Sequence, residues 1–495
     1  MQSYYFGAGA VTDAYLAAFR VPNLLRDLFA EGALSSAFVP TLTAERHDKG
    51  PAAGWRLTNR LITALLLVLG AISLAIALGA PWILDVYVAG FGTETRALAV
   101  TMTRIVAPFL LFVGLAAVAM AALNTCGRFF LPALAPSSFN VSMIVAMVVL
   151  WPVLPRLGLH AGLALPIGAV VGGLFQFLVQ LPALRREGFR FRPELVARDP
   201  ALRRIARLML PAIFGLAATQ INILVDTILA SWYEGAITWL SLAFRMMQLP
   251  LGLFGVAIGT ANLARVSMDA ARGDVAGVRA SLSSALRASA LLTLPATAGL
   301  IVLSQPIVRL IFEHGRFTAE DTAKTGAAVI CYALGLYAYS LTKTQVPTFY
   351  ALGDTRTPVV ASAVAVGSKI VASFILILAL PGLGVDAFLG LALSTSLAAW
   401  INFLWLAHAL RRRLGRSGER RVIGDTIRIG LLSTIMGICC ALLHGALERF
   451  FPGEAFFAEA LRLAVTILVG FGIVAAGAAA LDLPEARRIV KRFKR

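Results

Sequence analysis

The chain has 495 residues, of which 59% are hydrophobic and only 14% are charged, and its mean hydropathy is +0.81. A soluble domain is about 45–50% apolar and about 25% charged, so this composition excludes a soluble enzyme. The net charge of +18 would suggest a nucleic-acid partner in a soluble protein. Cytoplasmic loops of membrane proteins also collect Lys and Arg, and we therefore expect no nucleic-acid partner here.

Long apolar segments follow one another along the chain, and each is long enough for a membrane helix of roughly 20 residues. The first candidate, 12–43, carries several charged residues, which is typical of a helix that lines a cavity. The segments that follow it are 58–84, 97–123, 131–154, 160–184, 206–231, 236–264, 285–312, 325–350, 358–380, 386–410, 424–446 and 458–482. The sequence thus predicts an all-α polytopic membrane protein with about 13 membrane helices.

Basic residues are concentrated in alternate loops and in the C-terminal tail, at 46–56, 185–207, 265–279, 411–421 and 487–495. Loops with such an excess of Lys and Arg stay on the cytoplasmic side of a membrane. We therefore expect a multi-pass protein with a cytoplasmic C-terminus. The first residues contain no basic, apolar and small-residue leader, so we expect no cleavable signal peptide.

The sequence repeats itself at a shift of about 225 residues. Ala-Phe-Arg at 18–20 recurs at 243–245, and Ala-Leu-Arg-Arg at 183–186 recurs at 409–412. Equivalent loops are basic in both halves, so the halves are parallel, which is a transporter architecture. The repeat predicts two pseudo-symmetric helical lobes around a central cavity, then two extra helices and a basic tail. The predicted boundaries are 1–204, 205–415 and 416–495.

The repeat also bears on the first lobe. The second lobe opens with the segment 206–231, and its counterpart in the first lobe would lie before residue 6. The positive-inside pattern independently requires a span that begins in the cytoplasm before segment 12–43. We therefore expect the first helix of the N-terminal lobe to be missing from this chain.

The segment 12–43 has a charged face if it is helical. At about 100° per residue, four charged residues fall in a stripe about 40° wide: Asp13, Arg20, Asp27 and Glu31. Arg26 lies about 140° from Asp13 on a straight helix, but a kink at Pro22 would turn it toward the stripe. Two interpretations stay open: the arginines pair with acids of the same helix, or they bind a ligand.

Arg245 lies well inside the predicted helix 236–264, at a depth of about 14 Å for a rise of 1.5 Å per residue. The sequence contains no Asp or Glu between Glu234 and Asp269 that would neutralise it. An unpaired cation at this depth indicates a functional site, and a guanidinium is suited to bidentate binding of phosphate. Cations on corresponding helices of both halves predict an anionic substrate between the lobes.

Other chemistry is not indicated by the sequence. The cysteines form no Cys-x-x-Cys pair and the histidines are scattered, so we expect no disulfide, no metal site and no cofactor. ATP-binding, zinc-protease and serine-nucleophile motifs do not occur. The pairs Gly168/Gly172 and Gly255/Gly259 favour close helix packing. The arginines at 185–207 favour contact with anionic membrane lipids.

Several stretches closely resemble the MurJ (MviN) family of lipid II flippases: FGAGAVTDAYLAAFRVPNLLRDLFAEGALSSAFVP at 6–40, VDTILASWYEGAITWLSLAFRMMQLPLGLFGVAIGT at 225–260, and FEHGRFTAEDT with FYALGDTRTPV between 312 and 359. The resemblance covers essentially the whole chain. It implies the two-lobed fold of the multidrug/oligosaccharidyl-lipid/polysaccharide exporter superfamily, in which this family normally has fourteen helices. It also implies a cationic cavity for the pyrophosphate and sugars of lipid II, with the lipid tail along the last two helices.

The resemblance implies a set of substrate-binding residues as well. The family's cavity residues match Asp13, Asn23, Arg26, Glu31 and Arg245, and a basic residue is usual at Arg20. The chain departs from the family pattern at Gln248, Ala264 and Ser373. The last departure weakens the case for a sodium site that involves Asp226.

The function implied by the resemblance is a lipid II flippase of the bacterial inner membrane. It would move the undecaprenyl-pyrophosphate-linked peptidoglycan precursor from the cytoplasmic to the periplasmic leaflet by alternating access. The implied partners are lipid II, anionic membrane lipids and other cell-wall synthesis proteins. Two alternatives stay open: a flippase for another polyprenyl-pyrophosphate glycan, and a multidrug/cation antiporter of the same superfamily. A membrane glycosyltransferase would need a large extracytoplasmic loop with acidic catalytic residues, which the sequence lacks.

Overall fold

The computed structural model describes residues 2–27, 34–196, 199–415, 419–453 and 456–481. All regular secondary structure within these ranges is helical, which confirms the predicted all-α fold class. Packing divides the chain into two compact units, Met1–Thr238 and Trp239–Arg495. The lobe boundaries at 204/205 and 415/416 follow the sequence repeat and not the packing, and they stay a prediction.

The first unit contains the helices of the N-terminal half. In chain order these are α1 (Gln2–Phe6), α2 (Ala10–Arg26), α3 (Leu34–Lys49), α4 (Pro51–Tyr87), α5 (Thr93–Val106), α6 (Phe109–Thr125), α7 (Phe130–Arg156), α8 (Ala164–Leu178), α9 (Leu181–Arg186) and α10 (Pro200–Ala230). A short 3₁₀ segment, Ala161–Leu163, precedes α8. The first residues of α11 (Ala236–Pro250) close this unit.

The second unit contains most of α11 and the helices that follow it. A π-helical segment, Leu251–Val256, joins α11 to the next helix directly after Pro250. The remaining helices are α12 (Ala257–Ala271), α13 (Val275–Val302), α14 (Ser304–Phe312), α15 (Ala319–Ala351), α16 (Arg356–Ala379), α17 (Leu389–Leu414), α18 (Glu419–Phe450) and α19 (Phe456–Ala480).

Within the described residues, 11 helical runs are long and apolar enough to cross a membrane, which confirms a polytopic membrane protein. They are 51–87, 93–125, 130–156, 161–186, 236–271, 275–302, 319–351, 356–383, 389–414, 421–450 and 456–480. Two predicted segments outside this group, 12–43 and 206–231, correspond to α2 with α3 and to α10. The total of about 13 membrane helices stays a prediction.

One predicted segment is wrong in its extent. The sequence predicted a single helix over 285–312, but the structure ends α13 at Val302 and begins α14 at Ser304. Pro306 lies in the first turn of α14 and has no N–H to donate to the carbonyl of Val302, so the hydrogen-bond ladder of α13 cannot continue through it. The apolar composition runs through this break and hides it.

The core of the first unit lies between α3, α4 and α6, where Phe38, Phe109 and Leu123 are almost fully buried. Helices α7 and α8 pack beside this core with their backbones close together. A Cβ added at Gly168 would lie 2.8 Å from Cβ of Ala146, and one at Gly172 would lie 2.7 Å from the ring of Phe139. The predicted close packing at this glycine pair is therefore confirmed.

The loop before α10 is fixed to α4 by polar contacts. The Asn59 amide donates to the carbonyl of Arg190 (3.0 Å), and the Arg60 guanidinium donates to Glu194 (3.1 Å) and Asp199 (2.6 Å). Burial would raise the pKa of Asp199, but the hydrogen bond from Arg60 and those from two backbone N–H groups hold this pKa below its usual value. These contacts attach the described residues of the loop to α4 within the first unit.

The core of the second unit is built around α15, which is buried along most of its length and packs against α12, α13 and α17. Gly259 lies directly against the backbone of Lys343, and a Cβ at Gly255 would lie 3.3 Å from Oγ of Ser340. Asn262 donates to the carbonyl of Thr344 at 3.3 Å. The predicted close packing of the second glycine pair is confirmed as well.

Candidate functional site

The carboxylate of Asp13 accepts three hydrogen bonds at the start of α11. The donors are the backbone N–H of Gly235 (2.7 Å) and the backbone N–H (2.9 Å) and hydroxyl (2.6 Å) of Thr238. Asp13 is 1% exposed. The first N–H groups of a helix have no partner within the helix, and a negative charge next to them is favourable. Asp13 therefore fixes the N-terminus of α11 in the first unit.

A second group of contacts forms around Asp27, at the C-terminal end of α2. The Arg26 guanidinium donates to Oδ1 of Asp27 through Nη2 (2.9 Å) and Nε (3.2 Å). The amides of Asn23 (3.4 Å) and Gln220 (3.3 Å) donate to Oδ2. The side chains of Arg26 and Asp27 are about one quarter exposed (25% and 26%), so the pair is accessible to a ligand. Gln220 lies on α10 and was not among the predicted site residues.

Arg20 lies one turn before Asn23 and is half-buried. Its guanidinium is close to the hydroxyl group of Tyr87, next to Thr227. Among the described residues, no carboxylate lies within 4.0 Å of the Arg20 guanidinium. The α2 arginines therefore differ: Arg26 has an acidic partner on its own helix, whereas Arg20 has none in the described part of the chain.

Arg245 projects from the unpacked side of α11. Ala243 and Met247 are buried, and at about 100° per residue Arg245 lies roughly 160° from each of them. The buried side packs on α15, where Phe244 contacts Tyr332 with ring centroids 5.4 Å apart. Arg245 itself is exposed, and no carboxylate of the described residues lies within 4.0 Å of it. The predicted lack of an acidic neighbour in sequence thus extends to the described structure.

The remaining predicted residues are less informative. Glu31 lies outside the described residues. Ser373, at the position that bears on a sodium site, forms a hydrogen bond of 2.8 Å with the hydroxyl of Ser394. Asp226 is half-buried and already has an interaction partner. The sequence also predicted a buried cation at Arg104, seven residues into the segment 97–123; this is wrong, since Arg104 is exposed and donates to the carbonyl of Ala77 at 3.4 Å.

The structure brings part of the predicted set together. Asp13, Arg20, Asn23 and Arg26 all lie on α2 in the first unit, while Arg245 belongs to the second unit. A guanidinium without an acidic partner can donate two parallel N–H···O bonds to a phosphate group. The chemistry available at Arg20 and Arg245 is therefore recognition of an anion, and these residues supply no nucleophile and no general acid or base.

The sequence matches one protein family over nearly its whole length. The family model described as "Lipid II flippase MurJ" matches residues 2–461. The chain is 36% identical over 415 residues to "Lipid II flippase MurJ" of Burkholderia cenocepacia, and the aligned region covers 82% of this chain and 78% of that protein. It is 34% identical over 478 residues to "Probable lipid II flippase MurJ" of Vibrio cholerae, and the aligned region covers 94% of this chain and 88% of that protein.

Solved structures agree with this match. The structure titled "Lipid II flippase MurJ, inward closed conformation" has a TM-score of 0.77 and 28% sequence identity, over 97% of this chain and 95% of that chain. An inward-facing multidrug resistance MATE family transporter of the MOP superfamily has a TM-score of 0.65 at 14% identity, over 84% of this chain and 96% of that chain, and shares the fold alone. Family model, relatives and structure all lead to one assignment: the chain belongs to the MurJ family of lipid II flippases.

Proposed function

We propose that this chain is a lipid II flippase that moves the undecaprenyl-pyrophosphate-linked precursor from the cytoplasmic to the periplasmic leaflet of the inner membrane by alternating access. Family membership across residues 2–461 supports lipid II as the substrate. Among the chain's own residues, the observation that carries the proposal is Arg245, whose exposed guanidinium has no carboxylate within 4.0 Å in the described structure. A cation on a membrane helix is costly unless a ligand or water contacts it.

The arginines are proposed to bind the pyrophosphate. Arg245 and Arg26 each donate paired N–H groups to its oxygens, and Arg20 provides a further cation for binding. Because Arg26 donates to Asp27 at 2.9 Å, the pyrophosphate competes with this carboxylate when it binds. Asn23 adds amide donors for sugar or phosphate oxygens. The Asp27 pair thus keeps Arg26 in position while no substrate is bound.

Asp13 and Glu31 complete the proposed set. Asp13 acts on the site through α11, since its carboxylate holds the residues from which this helix starts. Arg245 follows Thr238 by two helical turns, so movement of the start of α11 would displace the guanidinium. Glu31 is proposed as a substrate-binding residue from its place in the charged stripe.

A multidrug/cation antiporter is the weaker candidate. It would need buried carboxylates that are free to exchange cations. Of the carboxylates discussed for the binding cavity, Asp13 already accepts three hydrogen bonds and Asp226 has an interaction partner. A flippase for another polyprenyl-pyrophosphate glycan would use the same arginines, and it differs from the proposed function only in the headgroup.

The orientation and the lipid contacts are also proposals. The basic loops and the C-terminus lie in the cytoplasm, because membrane proteins retain Lys- and Arg-rich loops there. Arginines in the described part of the loop before α10 and at the adjacent helix ends are exposed and available to anionic headgroups: Arg185, Arg186, Arg190, Arg192, Arg203, Arg204 and Arg207. Other cell-wall synthesis proteins are proposed as further partners.

Complementation tests the function and the central role of Arg245. A bacterium depleted of its own lipid II flippase is made to express this chain, and growth is followed together with the amount of chain in the membrane. We expect the unsubstituted chain to restore growth and Arg245→Ala to abolish rescue at equal membrane abundance. Arg245→Lys should rescue partially, because it keeps the charge but not the planar fork. Arg272→Ala removes an exposed arginine at the end of α12 and serves as the matched control.

Three outcomes would contradict the proposal. Full growth with Arg245→Ala would remove the role of this guanidinium. Failure of the unsubstituted chain, present in the membrane, to restore growth would count against lipid II transport by this chain. Rescue of a strain that lacks a flippase for a different polyprenyl-linked glycan, without rescue of the lipid II strain, would favour the other headgroup.

A further inference from the structure

A polar cavity of about 490 Å³ lies in the second unit, and none of the arginines discussed above lines it. Its lining residues come from α14 and the residues directly after it, from the C-terminal end of α18 and the loop that follows, and from the first two turns of α19. Its lining is mostly charged: Arg309, Glu313, His314, Glu448, Glu459 and Arg462. None of these side chains has a part in the proposed binding of the pyrophosphate.

Three potential metal ligands meet beside this cavity. His444 and Glu448 lie one turn apart on the same face of α18, with Nε2 and Oε1 separated by 3.6 Å. Glu459 reaches them from the first turn of α19. One ligand atom from each of the three residues lies within 4.8 Å of the other two. Small rotations of the side chains bring such atoms to the spacing of a coordination sphere.

His444 is the observation that indicates a ligand. It is 5% exposed, and within the described part of the chain neither ring nitrogen has a hydrogen-bond partner. Oε1 of Glu459 is likewise buried without a hydrogen bond there. Buried polar atoms are normally paired, and an exception calls for a partner such as an ion. Here the unpaired nitrogen and the unpaired oxygen belong to the same cluster.

Neighbouring arginines do not satisfy these atoms. Arg462 donates to the other oxygen of Glu459, Oε2, at 3.1 Å, and to the carbonyls of Phe451 and Gly453. Nη1 of Arg309 lies 3.7 Å from Oε1 of Glu459, beyond hydrogen-bond distance. The arginines therefore neutralise the carboxylates from the side and leave both ring nitrogens of His444 without a hydrogen bond in the described structure.

The charge of the cavity favours a cation. Three carboxylates line it, against the two guanidinium groups of Arg309 and Arg462, so with neutral histidines the lining carries a net negative charge. The Arg309 side chain is 43% exposed and is free to withdraw from Glu448 toward solvent. A divalent ion would then be balanced by the carboxylates that face the histidine.

We propose that His444, Glu448 and Glu459 form a site for a divalent transition-metal ion of the Zn²⁺ type. One imidazole with two carboxylates, completed by water from the cavity, is a donor set that Zn²⁺ accepts, whereas Mg²⁺ and Ca²⁺ prefer oxygen ligands alone. The ion joins the adjoining ends of α18 and α19 and so fixes the two C-terminal helices to each other. The proposal does not depend on the transported substrate.

Metal binding to the full chain tests the site. The protein is purified through an affinity tag without histidines, stripped with a chelator, placed in nanodiscs and titrated with Zn²⁺ by calorimetry. We expect one saturable Zn²⁺ per chain that excess Mg²⁺ does not displace. His444→Ala and Glu448→Gln should each weaken the affinity about tenfold or more, since even loss of a group that only supports a ligand costs roughly 10–100-fold. His314→Ala, a histidine that lines the same cavity, should bind as the unsubstituted chain does.

Thermal unfolding gives an independent measurement. At the same Zn²⁺ concentration, the melting temperature should rise more for the unsubstituted chain and His314→Ala than for Glu448→Gln, whose half-exposed position makes it the variant least expected to misfold. Absence of saturable Zn²⁺ binding would overturn the proposal. Equal affinity of His444→Ala and the unsubstituted chain, or loss of binding in His314→Ala alone, would overturn it as well.

Discussion

Asp13→Ala should destabilise the protein strongly, because it removes the acceptor that holds the start of α11. Three hydrogen bonds of 2.6–2.9 Å end on this carboxylate. A hydrogen bond to a charged group contributes about 1.5–3 kcal/mol, and a buried donor left without a partner costs about 1–3 kcal/mol. The three bonds share one acceptor and do not add in full. We expect the free energy of unfolding to fall by about 3–5 kcal/mol.

Thermal unfolding of the purified chain measures this loss. For a domain of about 150–250 residues, 1 kcal/mol corresponds to roughly 2–4 °C, so the melting temperature should fall by about 6–20 °C. Asp13→Asn should also destabilise, since its NH₂ group replaces one acceptor and faces backbone donors. Arg272→Ala, which removes an exposed arginine at the end of α12, is the control, and we expect it to melt within about 2 °C of the unsubstituted chain, as surface changes of about 0.5 kcal/mol do.

The reasoning has a clear contrary result. Asp13→Ala that melts within about 2 °C of the unsubstituted chain would refute the structural role, because so small a shift corresponds to about 1 kcal/mol or less. If that variant also lost affinity for lipid II, Asp13 would be a direct substrate ligand. Loss of stability with normal affinity at low temperature would instead establish it as the residue that positions α11.

The other predictions concern packing, pH and orientation. Gly172→Leu should lower the melting temperature by several degrees, because the leucine side chain would clash with the neighbouring aromatic ring. Gly70→Ala, with no atom within 4 Å of the added Cβ, is the control and should melt at or slightly above the temperature of the unsubstituted chain. The lowered pKa of Asp199 stabilises the folded state above the ordinary Asp value of about 3.9. Thus the difference in melting temperature from Asp199→Asn should stay constant from pH 8 to pH 5, and it should shrink as the pH falls below about 4 toward the lowered pKa of Asp199 in the folded state; a constant difference at all pH values would contradict this. In spheroplasts of a cysteine-free background, an impermeant maleimide should label Leu383→Cys and not Arg412→Cys, and the reverse would invert the proposed topology.

Sequence patterns predicted best those features that depend on the residues of a single helix. The glycine pairs predicted close packing, and Gly172 lies against a phenylalanine ring as that pattern requires. The lack of acids near Arg245 in sequence also holds for the described structure. Both features follow from the identity of residues within one or two turns, so an isolated helix already contains the information.

Contacts between distant segments were beyond such patterns. The charged stripe correctly grouped Asp13 and Asp27 on one helix. It could not indicate that Asp13 accepts hydrogen bonds from Gly235 and Thr238. Nor could it indicate that Asp27 accepts hydrogen bonds from Arg26 and Gln220. These partners are fixed by tertiary packing, which a helical wheel does not contain.

Two signals were present in the sequence and did not enter the predictions. Pro306 marks the break before α14, because proline cannot donate to the preceding turn. His444 and Glu448 at a spacing of four indicate a shared helix face, but the expectation of no metal site rested on the histidine and cysteine pattern alone. The third ligand, Glu459, comes from a different helix and needed the structure to be found.

The contact of Asp13 with the start of α11 also constrains how the protein is made. The carboxylate and its donors are 222 and 225 residues apart in the chain. At a synthesis rate of about 5–20 residues per second, roughly 11–45 s pass between the appearance of Asp13 and that of its partners. During this interval α2 carries an aspartate without its final donors, and water or the insertion machinery must accommodate it. The nascent chain is therefore open to misassembly and proteolysis until nearly half of it has been translated.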